Sequence, residues 1–243
     1  MCTLSYIPLG TNAYILTSNR DERKARPTLP PLEEQIGGKA VFFPKDEEAG
    51  GTWIAAGENG TVCCLLNGAF ESHERKSHYA QSRGKVLLET FENRDVLAYF
   101  SEKDLTEIEP FTLIAVEMKS AIKLHELRWD GENKHLKALD PTQAYIWSSA
   151  ALYSKEIRTL REQWFEQGLK NDSFTDAESI LKFHVSNHGN DIENDLVMKR
   201  GDVLKTVSIT QIKMDEGGFS MDYHDLLKNE KSRLKKQIKR SEF

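Results

Sequence analysis

The sequence contains few cysteines and no long apolar run. Only three of its 243 residues are cysteine (Cys2, Cys63 and Cys64), and no pair has the Cys-x-x-Cys spacing of a thiolate zinc site. No apolar stretch approaches the roughly 20 residues that span a bilayer. Because the first ten residues also lack the basic start and apolar stretch of a secretory signal, we expect a cytoplasmic location.

Motifs that bind common cofactors or mark a serine nucleophile are also missing. The sequence has no glycine-rich phosphate loop, dinucleotide fingerprint or Gly-x-Ser-x-Gly elbow. His73 and His78 lie near acidic residues, and His184 and His188 are four residues apart. Both pairs are more typical of polar surface residues than of zinc ligands, so we predict neither a metal site nor a cofactor.

Charge is distributed unevenly along the chain. The formal net charge is −5, but residues 228–243 carry seven basic and two acidic side chains, so the other 227 residues have a net charge of −10. Such an acidic body argues against a nucleic-acid partner. Because Leu234 and Ile238 are one helical turn apart, the basic tail is predicted to be a solvated amphipathic helix. A weak contact of this tail with an anionic surface is the alternative.

The apolar patterns predict strands at both ends of the chain and helices in the middle. With 39% hydrophobic residues and no linker or repeat, residues 1–227 are predicted to form one α+β domain of mostly antiparallel sheets covered by helices. Residues 19–38 are polar and proline-containing, so a long loop is expected there. Predicted strands cover residues 2–7, 13–18, 40–43, 52–56, 61–66, 111–118, 122–129, 144–148, 204–214 and 219–224. Predicted helices cover residues 84–100, 154–167 and 176–185, the last with Thr175 as its N-cap.

Cys2 is the residue with the clearest chemical potential. Methionine aminopeptidase removes Met1 when the next side chain is small, which would leave a thiol and a free α-amino group on the same residue. Their ordinary pKa values are about 8.5 and about 7.7–8.0, so the amine can act as a base towards its own thiol near neutral pH. The alternative is a small residue that begins a buried strand.

A polar segment follows the predicted second strand. In a hairpin the end of strand two returns beside the start of strand one, so residues 19–22 should lie near Cys2. A carboxylate there could hold the ammonium, and a guanidinium could lower the pKa of the thiol or bind an anionic substrate. An ordinary polar loop is the alternative.

Several short motifs occur together in the first 90 residues. Cys2 is followed by Asn-Arg-Asp-Glu at 19–22, Gly-Gly-Thr-Trp at 50–53, Asn-Gly at 59–60 and Ser-Arg-Gly at 82–84. In this order they resemble the NRDE family, also called the Transport and Golgi organisation 2-like family. That family is similar to the N-terminal-nucleophile cysteine hydrolases, such as penicillin V acylase and choloylglycine hydrolase. The resemblance implies a four-layer αββα sandwich and cleavage of non-peptide amide bonds.

The resemblance also implies roles for individual residues. Asn19 and Asp21 match an Arg-Asn-x-Asp segment of those hydrolases, with Ser18 at the arginine position. Because Arg20 lies between Asn19 and Asp21, its side chain is expected on the opposite face of the strand from that arginine. Substrate-binding or electrostatic roles are implied for Asn19, Arg20, Glu22, Trp53 and Arg83.

Two further positions match the oxyanion hole of the hydrolases. Asn67 matches an asparagine that follows a strand, although a strand-ending turn residue before Gly68 is the alternative. Ser149 stands where a second oxyanion asparagine is expected. Arg200 and Lys205 are candidates for a late arginine of the hydrolases.

The sequence thus supports two hypotheses. In the first, Cys2, Asp21, Asn67 and Ser149 catalyse hydrolysis of a linear non-peptide amide or related acyl bond. In the second, the same fold carries hydrophobic lipid-like or haem-like cargo without turnover, which the Ser18 and Ser149 replacements favour.

Overall fold

Two antiparallel sheets form the centre of the molecule. The structure, a computed structural model, describes residues 2–92 and 95–238, with only the backbone at Cys2. The first sheet pairs its strands in the order β10-β1-β2-β12-β13-β14, with β11 also paired to β12. These strands are β1 (Cys2–Pro8), β2 (Tyr14–Arg23), β10 (Tyr145–Ser148), β11 (Lys199–Arg200), β12 (Leu204–Asp215), β13 (Gly218–Asp225) and β14 (Glu230–Lys236).

The second sheet follows the chain order without a crossover. Its seven strands pair consecutively from the first to the last. They are β3 (Thr28–Ile36), β4 (Lys39–Asp46), β5 (Ile54–Gly57), β6 (Thr61–Asn67), β7 (Phe111–Met118), β8 (Ile122–Trp129) and β9 (Lys134–Leu139). The described residues form four helices: α1 (Arg83–Glu89), α2 (Val96–Glu102), α3 (Lys155–Lys170) and α4 (Ala177–Val185).

Three apolar cores define four layers. The largest lies between the sheets, where alternate residues of β1 and β2 such as Leu4 and Leu16 pack against β6 residues such as Cys64. The opposite face of the second sheet packs on α1 and α2 through residues such as Leu87 and Phe100. The opposite face of the first sheet is covered by α3 and α4. This arrangement confirms the predicted αββα sandwich.

The predicted loop over residues 19–38 is wrong. Strand β2 continues to Arg23 because β12 supplies ladder partners along its whole length. Residues 28–36 then form β3, an edge strand that pairs only with β4. The pairing register shifts between Leu29 and Leu32, where Pro30 and Pro31 lie. Proline is tolerated at such an edge or bulge because no ladder donor is needed there.

The predicted amphipathic helix in the basic tail is also wrong. Residues 230–236 form β14, which pairs with β13 from Glu230 to Lys236. Leu234 packs against the core between the sheets. Residues 239–243 lie outside the described part of the chain.

The helical predictions differ from the structure at their ends. The predicted helix over 84–100 is two helices, and Asp95 caps the second by accepting a hydrogen bond from the Ala98 N–H. The N-cap of α4 is Asp176 rather than Thr175, because its carboxylate accepts from the Ser179 N–H. Among the described residues, no helix is long and apolar enough to cross a membrane.

Candidate functional site

Strand β2 places neighbouring residues of the 19–22 segment on opposite faces of the first sheet. Leu16, Ser18, Arg20 and Glu22 alternate with Asn19 and Asp21 along the strand, and Leu16 belongs to the core between the sheets. The backbone of Cys2 pairs directly with Arg20. Position 2 of β1 therefore lies on the same face of the sheet as Arg20 and Ser18. The expectation that Arg20 and Ser18 occupy opposite faces is wrong. The Cys2 side chain itself lies outside the described residues.

A cavity of about 400 Å³ adjoins this end of the inter-sheet layer. It contains five of the residues predicted from the sequence to form the site: Arg20, Glu22, Trp53, Asn67 and Arg83. Further walls come from the loop over residues 75–82, which was not predicted to contribute. The remaining lining includes Arg26, Asp46, Thr52, Leu65, Arg75, Lys76, His78, Tyr79, Gln81 and Glu109.

Two glycines explain why separate motifs meet at this cavity. A Cβ atom on Gly51 would lie 2.5 Å from the carbonyl carbon of Gly84, and one on Gly84 would lie 2.7 Å from the Thr52 carbonyl oxygen. Real side chains cannot approach so closely, so the two backbones touch only because both residues lack a Cβ. This contact brings Arg83 at the start of α1 to the wall that carries Trp53.

Asp46 organises one end of the cavity. Its carboxylate pairs with Arg20 at 2.7 Å and with Arg26 at 2.8 Å. Burial alone would raise the pKa of Asp46, but the Ala49 N–H and the two guanidinium groups outweigh it and lower this pKa. Arg20 also donates to Thr28 and stacks 4.3 Å from the centroid of Trp53.

Glu109 organises the other end. Arg83 Nη2 lies 3.1 Å from its carboxylate, His73 Nε2 lies 3.3 Å away and Arg75 Nε lies 4.0 Å away. Arg83 Nη1 also donates to the Pro110 carbonyl oxygen at 3.1 Å. Burial lowers the pKa of Arg83 to about 10, against the opposing effect of Glu109.

Asn67 and Ser149 are in contact. The Ser149 hydroxyl donates to the Asn67 carbonyl oxygen at 2.8 Å, and the Ala151 N–H donates to the same oxygen. Ser149 is fully buried, whereas Asn67 is partly exposed. Because the single hydroxyl proton of Ser149 is used in this bond, only Asn67 has a side chain available to a molecule in the cavity.

Asp21 lies on the other face of β2, under the helices. Its carboxylate accepts from the Tyr153 hydroxyl at 2.7 Å and from the Thr206 hydroxyl at 2.6 Å. Burial raises the pKa of Asp21, while Arg161 and these two hydroxyls oppose the rise. Asp21 is therefore held in one orientation by Tyr153, which lies just before α3, and by Thr206 of β12.

Asn19 ties α4 to the sheet. Its amide nitrogen donates to the carbonyl oxygens of His184 and Leu196, at 3.0 and 2.8 Å. Its amide oxygen therefore accepts from His184 Nδ1 at 2.7 Å, and His184 Nε2 accepts from the Ser5 hydroxyl. Burial lowers the pKa of His184 to about 3, so the ring is neutral. The prediction that His184 is a surface residue is wrong.

A second buried group on this face is Arg161 of α3. It is fully buried, donates to the Thr3 hydroxyl and to the Asp195 carbonyl oxygen, and lies 3.6 Å from the centroid of the Tyr153 ring. We refer to Asn19, Asp21, Tyr153, Arg161 and His184 as the helix-side network. Its members on α3 and α4 are more than 130 residues from β2 in sequence, so no local pattern indicated them.

The two late basic candidates occupy different places. Arg200 donates to the Leu152 carbonyl oxygen and to Asn194, so it belongs with the helix side of the sheet. Lys205 is the register partner of Glu22 on β12. In the described part of the chain, no three histidine, cysteine or acidic side chains converge as a metal site.

Several buried polar atoms in this region have no hydrogen-bond partner among the described residues, including Ser18 Oγ, Ser208 Oγ, Thr210 Oγ1 and Trp53 Nε1. Ser18 and Thr210 are register partners on the inter-sheet face, two residues from Arg20 along β2. Buried polar groups normally find a partner in the protein or in water. This end of the inter-sheet layer therefore offers hydrogen bonds that the protein itself does not satisfy.

Comparison with known proteins identifies the family. A model described as Transport and Golgi organisation 2 matches residues 1–231. The chain belongs to this family. The match covers nearly the whole sequence and confirms the resemblance seen in the first 90 residues. A search of curated proteins found no match.

Solved structures similar to this family member include a hydrolase, an acylase and an amidase. A variant of conjugated bile acid hydrolase from Clostridium perfringens has a TM-score of 0.55 at 10% identity, covering 100% of this chain and 99% of its own. Penicillin V acylase from Agrobacterium tumefaciens has a TM-score of 0.55 at 12% identity, with coverages of 97% and 86%. The N-acylethanolamine-hydrolyzing acid amidase orthologue of Caenorhabditis elegans has a TM-score of 0.58 at 12% identity, with coverages of 87% and 92%. These similarities show a shared fold.

Proposed function

We propose that this protein is an N-terminal-nucleophile hydrolase in which Cys2 attacks a linear non-peptide amide or a related acyl bond. The observation that supports this most directly is the pairing of Cys2 with Arg20, beside a cavity that Asn67 also lines. The similar solved structures include two amide-cleaving enzymes by name, an acylase and an acid amidase.

Activation of the nucleophile requires removal of Met1. The α-amino group of Cys2 then takes the thiol proton, giving a thiolate beside the guanidinium of Arg20. A neighbouring positive charge favours the ionised thiol, so Arg20 lowers the pKa of Cys2 in this mechanism. Arg20 thereby supplies the positive charge that Ser18 cannot.

Asp21 orients the α-amino group. Each of its oxygens accepts one hydrogen bond from a hydroxyl, and each carboxylate oxygen can accept a second. The carboxylate can therefore accept from an ammonium while Tyr153 and Thr206 keep it in place. Burial of Asp21 strengthens its attraction for that ammonium.

The reaction then follows acyl transfer. The sulfur–carbon bond forms as the carbonyl oxygen becomes an oxyanion, which the Asn67 amide stabilises. The leaving amine takes the proton from the Cys2 ammonium, and the carbon–nitrogen bond breaks. Water hydrolyses the thioester to a carboxylic acid and restores the thiol. Ser149 acts as a positioning residue because its hydroxyl holds the Asn67 carbonyl.

The cargo-carrier hypothesis fits this cavity less well. A lipid-like or haem-like ligand prefers an apolar wall, whereas the cavity is lined by arginine, lysine, aspartate and glutamate side chains. The charged lining therefore favours a small polar acyl substrate.

Trapping of the acyl-enzyme tests the proposal. An activated ester such as p-nitrophenyl acetate should add one acetyl group to the intact protein, and digestion should place it on residue 2. The Cys2→Ala variant should acquire no acetyl group, whereas Cys63→Ala should behave like the parent because Cys63 is buried and its pKa is raised to about 12. Acetylation that persists in Cys2→Ala would contradict the proposal.

A further inference from the structure

The cavity has more positive than negative side chains in a protein whose net charge is −5. The position of this excess positive charge along the wall matters, because a local surplus of one sign attracts ligands of the other sign. The cationic lining residues are Arg20, Arg26, Arg75, Lys76 and Arg83, and the anionic ones are Glu22, Asp46 and Glu109.

The end near Cys2 is balanced. Arg20 and Arg26 both pair with Asp46, and Arg26 also lies 3.5 Å from Glu22. Two guanidinium groups thus face two carboxylates within a few ångströms. Its two cations are already used by these carboxylates and, in the proposed mechanism, by the Cys2 thiolate, so this end has no surplus charge for a substrate group.

The Glu109 end is not balanced. One carboxylate contacts both Arg83 and Arg75, and Lys76 follows Arg75 in the same wall. Arg83 is fixed by Glu109 and by the Pro110 carbonyl oxygen, with only 14% of its side chain exposed. Arg75 has 79% of its side chain exposed and is 4.0 Å from Glu109, so its other nitrogens are accessible.

We propose that the substrate carries an anionic group, such as a carboxylate, that binds Arg75 and Arg83 while its acyl carbon reaches Cys2. This inference rests on the proposed hydrolase function and names the class of substrate. Both ends line one cavity, so a single molecule can contact them together. Arginine suits this role because its planar fork of donors matches a carboxylate, and Glu109 and the Pro110 carbonyl hold the Arg83 guanidinium in one place.

Paired alkylating probes test the inference. Each probe is a bromoacetamide whose amide nitrogen carries a chain of two to six methylenes. The chain ends in a carboxylate or in its uncharged methyl ester. In either case the Cys2 thiolate displaces bromide and forms a thioether. The rate of labelling at residue 2 is measured by mass spectrometry and divided by the rate for 2-mercaptoethanol, which corrects for intrinsic reactivity.

We expect the carboxylate probe to label Cys2 at least roughly tenfold faster than its ester at one or more chain lengths, as one charge-assisted hydrogen bond would give. Arg75→Gln should reduce this preference, and Arg75→Glu should reverse it. Raising the salt concentration should also reduce it. Arg233→Gln is the matched control, because it removes an exposed arginine that pairs with Asp222 on another part of the surface; its preference should equal that of the parent.

The outcomes separate the two proposals. Fast labelling by the esters with no carboxylate preference at any chain length would overturn the anionic substrate and leave the hydrolase proposal standing. A preference that persists in Arg75→Glu would also overturn it. If both probes label Cys2 no faster than 2-mercaptoethanol, the hydrolase proposal fails, and the substrate inference falls with it.

Discussion

The two faces of strand β2 place neighbouring residues in opposite environments. On the inter-sheet face, Arg20 and Glu22 border a cavity whose ion pairs are partly open to solvent. On the helix-side face, Asn19 and Asp21 are fully buried, and each polar atom of their side chains has a protein partner. The four residues of one short motif are thus divided by the period of a β-strand.

The inter-sheet face of β2 thus forms part of the cavity wall, and the helix-side face stabilises the strand. A satisfied, buried network fixes its members and is costly to disturb, because every lost partner leaves a buried polar group. A partly solvated wall tolerates substitution, because water replaces the lost contact. We therefore expect variants of the helix-side network to change chiefly the free energy of unfolding, except at Asp21, which also holds the Cys2 amine in the proposed mechanism. Variants of the cavity wall should change ligand binding and turnover.

The largest expected effect on folding is that of Asn19→Ala. The substitution removes the donors to the His184 and Leu196 carbonyls and the acceptor for His184 Nδ1. Three buried groups each lose a hydrogen bond, and of these only the Leu196 carbonyl keeps another donor among the described residues, Thr206, so the free energy of unfolding should fall by about 3–5 kcal/mol. Urea denaturation measures this value. Asn12→Ala is the matched control, because Asn12 bonds to Glu216 at the surface, and its effect should stay within about 0.5 kcal/mol. Equal effects for the two asparagines would contradict the comparison.

A pair of buried arginines compares the two faces directly. Arg161→Met should cost about 3 kcal/mol, because it removes the donors to Thr3 and to the carbonyl oxygens of Asn194 and Asp195, together with the positive charge that favours ionised Asp21. Arg20→Met should cost about 1–2 kcal/mol, because Asp46 keeps Arg26 and two backbone donors. Thermal and urea unfolding of the two variants should give this order, and the reverse order would contradict it.

Acid should destabilise the helix side through His184. Its pKa is about 3 in the folded protein and about 6.5 when unfolded. Between these values the unfolded chain binds a proton that the folded chain does not, so stability falls as pH falls, by about 1.4 kcal/mol per pH unit from this group. Half-buried His125 and His224, whose pKa values are also lowered by burial, act in the same direction. Asp21, whose pKa burial raises, acts in the opposite direction.

Unfolding curves between pH 6 and pH 4.5 isolate the contribution of His184. His184→Gln should lower stability at pH 7 and flatten the slope by about one proton. The control His135→Gln changes an exposed histidine paired with Asp130 and should leave most of the slope unchanged. A slope that is the same in His184→Gln and in the parent would show that another group is responsible.

Asn67→Ala should have the smallest effect on folding and a large effect on turnover. The observed hydrogen bonds of Asn67 with Ser149 and Ala151 use its backbone carbonyl, which alanine retains. Stability should therefore change by less than about 1 kcal/mol. Loss of an oxyanion donor should lower kcat by about 10²–10³-fold. An unchanged kcat would remove Asn67 from the mechanism.

The sequence predicted the hairpin that starts the site because alternation and a turn are local signals. It placed Cys2 near residues 19–22 for the same reason. It did not predict that β2 continues through Arg23, since the partner that extends it is β12, almost 200 residues later. The error about Arg20 followed from this, because Arg20 shares a face with Ser18 when one regular strand continues through both residues.

Other features required the three-dimensional neighbours. The prolines of β3 indicated a loop, but an edge strand with a shifted register accommodates them. Leu234 and Ile238 indicated a helix, but the open side of β13 offers a full ladder to β14. Asp46, Glu109 and Arg161 have no motif of their own, and only the packed sheets and helices bring them to the site.

The reactivity of Cys2 distinguishes a nucleophile activated by its own amine from an ordinary thiol. The purified protein would be treated with iodoacetamide from pH 5.5 to 9, and intact mass would give the state of Met1 and the rate of alkylation. We expect Met1 to be absent and one adduct to form at pH 7 at a rate well above that of 2-mercaptoethanol. This adduct should disappear in Cys2→Ala. A retained Met1, or a Cys2 no more reactive than the free thiol, would contradict a nucleophile activated by its own amine.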